Sequence, residues 1–200
     1  MRHLTSLAIV AVLGGTVGAA ATQLPTLITH FSGTPQAKAA PAGFWQTPAI
    51  QGYGKIHYLQ DSAYLPRTDK EHKIVFQITQ HSGAPDQVNS ELDHLARTVN
   101  LYVAAGVPLN RLRFVGAISG SATDAILSNE RYHELFGINN PNSSLIEQLT
   151  RAGVDLAVCS QAVAGHHYAY EWIDPHVTLA LSSLTTVTSL EEEGYVLMPL

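Results

Sequence analysis

This 200-residue chain has a single cysteine, Cys159, so it forms no intramolecular disulfide and its fold cannot depend on one. Charge is also scarce: 11 Lys and Arg stand against 16 Asp and Glu, for a net charge of −5 with no basic cluster. That balance leaves no electrostatic footprint for nucleic acid or for an anionic membrane surface. Beyond Ala21 no apolar run is long enough to cross a bilayer. A serine-hydrolase signature is missing too. Ser119 lies between a strand pattern and a helix start, but Ala117 and Ser121 occupy the positions where a nucleophile elbow needs glycine.

At the N-terminus, Met1-Arg2-His3 is followed by an almost uncharged stretch, Leu4 to Ala21, which ends on Gly18-Ala19-Ala20-Ala21. This is the layout of an export signal, with cleavage expected after Ala21 and Ala40 as the second choice. The alternative is a retained anchor, disfavoured because Gly14, Gly15 and Gly18 dilute the apolar segment. The expected location is therefore the periplasm or the exterior, off the membrane once the signal is removed. Thr22 to Pro48 has no sustained period and one charge, Lys38, and reads as a flexible tether. Residues 49–200 have the length of one domain.

Within that domain strand and helix patterns alternate. Lys73 to Thr79, Arg113 to Ser119, Val154 to Cys159, Val177 to Ala180 and Tyr195 to Pro199 read as strands. Val88, Leu92, Leu95, Ala96, Val99 and Val103 recur at helical spacing between Gln87 and Ala105. Further helices are expected from Gly120 to about Leu127, from Ser144 to Ala152 behind an Asn142 or Ser143 cap, from Gln161, and from Ser182 to Glu193. The alternation predicts an α/β fold with a mostly parallel sheet, helices on both faces, and ligands at the carboxyl ends of the strands. Trp45 to Leu65 departs from it and reads as an irregular arm or hairpin that covers an edge or reaches a neighbouring subunit.

Cys159 stands where the third apolar strand gives way to the small residues Ser160 to Gly165. A thiol at a strand end, facing a helix N-terminus, has its nucleophilic thiolate stabilised; the alternative is a buried structural cysteine. His166 and His167 follow after Gly165 as candidate proton carriers or cationic partners, or as a solvated loop pair. Ser119, Gly120 and Ser121 open a helix whose N–H groups suit a small anion, or serve as an ordinary cap. Gln161 is placed to hydrogen-bond a group on Cys159. A zinc site from Cys159, His166 and His176 matches no standard spacing, so neither metal nor cofactor is expected.

Lys73-Ile-Val-Phe-Gln-Ile-Thr79, Asn100-Leu-Tyr-Val-Ala-Ala-Gly-Val-Pro108, Gly153-Val-Asp-Leu-Ala-Val-Cys-Ser-Gln-Ala162 and Glu193-Gly-Tyr-Val-Leu-Met-Pro199 together resemble an exported DsrE-like protein of the DsrE/DsrF/TusD sulfur-relay superfamily. The resemblance spans about residues 50–200. It implies a three-layer α/β/α domain with about five strands, commonly assembled into trimers or hexamers. It also implies that Cys159 carries sulfur as a persulfide, received from a donor and passed to an acceptor. Two departures stand out: His166-His167 replace the arginines that follow the cysteine in relay members, and Ser119-Gly120 replace a His-Gly pair of exported relatives. Two functions from different classes follow. One is a sulfur carrier or sulfurtransferase; the other is a non-enzymatic oligomeric subunit that binds a small ligand or a protein and keeps a structural cysteine.

Overall fold

The computed structural model describes residues 41–200. The expected export signal and the tether up to residue 40 lie outside the described residues. In the remainder of the tether, Phe44 stacks on His57 with ring centroids 3.9 Å apart, and Gln46 pairs with Ile56 in an antiparallel bridge.

Five strands form one sheet: β1 (His72–Ile78), β2 (Leu112–Ile118), β3 (Asp155–Cys159), β4 (Thr178–Ala180) and β5 (Val196–Pro199). Their order is β4-β3-β2-β1-β5 and every pairing is parallel. The helices are α1 (Ser90–Ala104), α2 (Asn129–Phe136), α3 (Ser143–Arg151), α4 (Ser160–Gly165) and α5 (Ser183–Glu192), and a 3₁₀ helix, Gly120–Ile126, follows β2. From β1 to β4 the chain advances in one direction across the sheet. Right-handed crossovers therefore stack α1 and α3 on one face, and the return from β4 to β5 puts α5 on the other.

The two faces are unequal. On the first, Ile74, Phe76, Ile78, Phe114, Ile118, Leu156 and Val158 pack against Leu92, Leu95 and Val99 of α1 and Leu145, Ile146 and Leu149 of α3. Each fully buried Leu or Ile there contributes about 2 kcal/mol relative to exposure. On the second, a smaller cluster of Val75, Val115, Ala117 and Ala157 is buried beneath Val187 and Leu190 of α5. Side chains alternate along a strand, so Cys159 shares the face of Ala157 and looks toward α5.

The arm lies on α1 rather than along a sheet edge. Asn100, fully buried on α1, accepts the Ala49 and Ile50 N–H groups at 2.9 Å and donates to the Tyr53 and Gly54 carbonyls at 3.0 Å. Gly54 has φ +56, and a Cβ there would stand 2.1 Å from the Arg97 nitrogen, so this contact admits only glycine.

One local element was not anticipated and one expectation is corrected. The polar stretch after Leu127 contains a helix, α2, capped by the Ser128 hydroxyl on the Arg131 N–H and ended by Gly137 at φ 74. It is short and mostly polar and buries only Tyr132. Asn142 occupies the N-cap position of α3 but makes no side-chain cap bond. Its carboxamide instead accepts the Asn89 N–H at 2.8 Å and donates to Asn140, joining α3 to the start of α1.

Candidate functional site

Because the sheet is all-parallel, the carboxyl ends of β1, β2, β3 and β4 and the helix starts that follow them gather at one end of the domain. Cys159 ends β3 and is the N-cap of α4. Its Sγ lies 3.9 Å from the Ser182 hydroxyl, and Ser182 in turn caps α5 by accepting the Leu184 N–H at 3.2 Å. Burial pushes the Cys159 thiol pKa up. The N–H groups of Ser183 and Ala162, the Ser182 hydroxyl and the Gln161 N–H together outweigh it, and the pKa falls below its ordinary value. The thiolate is thus held by groups from the starts of two helices, α4 and α5. The residue is only 5 % exposed, so the sulfur is largely shielded from bulky reagents.

The Gln161 side chain turns to the Ser160 hydroxyl and the Leu181 carbonyl, at 3.2 and 3.3 Å, tying α4 to the segment before α5. Ser119 donates its N–H to the Ile78 carbonyl at 2.9 Å. Gly120, at φ +57, lets the chain turn where a Cβ would stand 3.3 Å from the Thr79 carbonyl. That carbonyl accepts both the Ser121 hydroxyl, at 3.0 Å, and the Ala122 N–H, at 3.2 Å. Thr79 is fixed from behind, since the buried Glu91 carboxylate accepts the N–H groups of Thr79 and Gln80 at 2.5 and 2.8 Å.

The two histidines part company. His167 is exposed, with φ 59, in the left-handed turn that ends α4. His166 folds back: its Nε2 lies 2.9 Å from the Gly120 carbonyl and its Nδ1 3.5 Å from Asp124 Oδ1. Asp124 also accepts the Tyr168 hydroxyl at 2.8 Å and faces His81 Nδ1 at 3.7 Å. Burial, and then Asp124, raise the Tyr168 phenol well above its usual value. His176 is engaged elsewhere, with Nδ1 2.8 Å from Asp174 Oδ1. Cys159, His166 and His176 therefore have separate partners, not a common centre.

Ser182, Ser183, Asp124 and Tyr168 are the members of this end that residue spacing did not single out. Ser182 and Ser183 were recoverable in principle: in an all-parallel sheet the helix start after β4 must sit beside the one after β3. The pairing of His166 with Asp124 depends on how the chain turns after α4, which no spacing encodes.

No protein-family model matches the chain, and no curated protein matches it. Among solved structures it is similar to MTH1491 from Methanobacterium thermoautotrophicum, a protein of unknown function, with a TM-score of 0.50 and 14% identity over 65% of this chain and 100% of that one. It is also similar to the ychN protein from E. coli, with a TM-score of 0.47 and 14% identity over 64% of this chain and 99% of that one. What the MTH1491 likeness shows is the fold: a five-stranded, all-parallel α/β sheet flanked by helices, in agreement with the DsrE-like architecture that the sequence resembles.

Proposed function

We propose that this protein is a sulfur carrier of an exported compartment that holds sulfane sulfur as a persulfide on Cys159. The observation that carries the reading is the place of Cys159 at the end of β3 and the N-cap of α4, with the Ser182 hydroxyl 3.9 Å from its Sγ and the N–H groups of Ser183, Ala162 and Gln161 lowering its pKa. The Cys159 thiolate attacks the sulfane sulfur of a donor persulfide or thiosulfate; the new S–S bond forms as the donor's bond breaks, and the donor leaves as thiolate or sulfite. An acceptor thiolate then attacks the outer sulfur, and Cys159 leaves as thiolate. Nothing is oxidised or reduced overall, so the chemistry needs one nucleophile and an anion-stabilising setting. Export rests on the pattern of residues 1–21. Assembly into a trimer or hexamer is supported by Leu179, Leu181 and Leu184, which are 45 %, 71 % and 76 % exposed beside the edge strand β4.

Intact mass after incubation with polysulfide or thiosulfate, before and after reductant, tests this, with Cys159→Ser as control. A reductant-labile gain of sulfur in wild type alone supports the carrier.

A second reading, a binding subunit with a structural cysteine, is favoured by the low exposure of Cys159 and by a cavity of about 390 Å³ at the opposite end of the domain. The arm residues His57, Tyr58, Leu59 and Tyr64 and the α1 residues Leu101 and Tyr102 line it. No sulfur gain, with a thiol silent to alkylation until unfolding, selects this reading.

A further inference from the structure

His166 Nε2 lies 2.9 Å from a carbonyl oxygen, that of Gly120. A carbonyl only accepts, so Nε2 carries the hydrogen. In the neutral ring Nδ1 is then a bare lone pair, and it faces Asp124 Oδ1 at 3.5 Å, where the Tyr168 hydroxyl already supplies that oxygen with a donor. A second proton on His166 turns this opposition into an ion pair while leaving the Gly120 bond intact. The ring also stands at the C-cap of α4, where a cation is favoured.

We propose that Asp124 is a positioning residue for the Cys159 site, acting through a proton-dependent clasp. When His166 is protonated, Asp124 and the Gly120 carbonyl grip both of its ring nitrogens and fix the end of α4 to the 3₁₀ helix after β2; when His166 is neutral, the Asp124 half of the grip is lost. The start of α4 supplies the Gln161 and Ala162 N–H groups to Cys159, so holding its other end steadies the thiolate setting and restricts access to a thiol that is only 5 % exposed. The titratable groups around the clasp are Asp124 on the 3₁₀ helix, Tyr168 after α4 and His81 before α1, with Tyr132 of α2 and Asp86 one step further out. His81, 3.7 Å from the other carboxylate oxygen and about half exposed, is a weaker second arm. The functional consequence rests on the persulfide reading; the clasp itself does not.

Hydrogen exchange of the α4 amides in the full-length, signal-free protein tests it, at pH 5.5 and pH 8 and corrected for intrinsic exchange. Wild type should lose about threefold protection over α4 on passing to pH 8, the size of a partly exposed ion pair. Asp124→Asn should show no such step, nor should His166→Gln, which retains a donor for Gly120 and takes no charge. The step should persist in Cys159→Ser, which removes the thiol's own titration. A flat wild-type profile, an unchanged step in Asp124→Asn or His166→Gln, or its loss in Cys159→Ser overturns the clasp. Sulfur loading measured on the same samples reports separately on the carrier reading.

Discussion

Cys159 Sγ and Ser182 Oγ stand 3.9 Å apart although 23 residues separate them in the chain, and the same hydroxyl caps α5 through the Leu184 N–H. A thiol at the end of β3 is thereby coupled to the start of the helix that covers the thin face of the sheet. Ser182→Ala removes one stabiliser of the thiolate and the cap together. The thiol pKa should rise, so that at pH 7 alkylation of Cys159 slows by about threefold to tenfold for the loss of one hydrogen bond of about 0.5–1.5 kcal/mol. Urea unfolding should show a loss of about 1 kcal/mol from the cap.

The folded thiol pKa lies below its ordinary value of 9.0, so the folded state releases this proton at lower pH than the unfolded chain. The stability that follows is fully present above the ordinary value and is lost as pH falls through the folded one. Wild type should therefore gain stability relative to Cys159→Ser as pH is raised toward 9. Denaturant titrations of both proteins across that range measure it, and a constant difference would remove the thiolate from the account of this site.

Asn100 meets four backbone groups of residues 49–54 from within α1. Asn100→Ala leaves buried donors and acceptors unpaired and is expected to cost about 2–4 kcal/mol. If the arm is held chiefly by this residue, the amides of residues 49–54 lose hydrogen-exchange protection before the sheet does.

Gly120 sets the turn on which both the Ser121 bond to Thr79 and the His166 bond to Gly120 depend. Gly120→Ala places a side chain at φ +57 against the Thr79 carbonyl and is expected to destabilise the fold by about 1–2 kcal/mol. It should also remove the pH step in α4 exchange, since it shifts the carbonyl that His166 binds.

Leu181 and Leu184 are exposed apolar side chains beside the β4 edge, where nothing among the described residues covers them. Leu181→Arg with Leu184→Arg should leave the fold intact and lower the mass found by light scattering, because charge in an apolar interface is costly to desolvate. An unchanged mass would move the proposed subunit contact away from this edge.

The apolar strand runs from Ile74 to Ile78 and from Leu156 to Val158, and the helical spacing from Leu92 to Val99, carried the architecture in the sequence itself, because strand and helix bury one side at different periods. Helix α2 was hidden, since it is only eight residues long and mostly polar, with Tyr132, Leu135 and Phe136 its few apolar positions. Cys159 was marked by its place at the end of a strand, and the small residues after it by their fitness to start a helix.

By itself, then, the sequence determined that this is an alternating α/β chain with one thiol at a strand end, because periodicity and strand-end placement are local properties of the chain. Only the tertiary structure decided what surrounds that thiol. The right-handed return from β4 to β5 carries the start of α5, with Ser182 and Ser183, to Cys159, while the turn after α4 sends His166 to Gly120 and Asp124. Both meetings join residues far apart in sequence, and chain reversal and the handedness of crossovers, not residue spacing, bring them together.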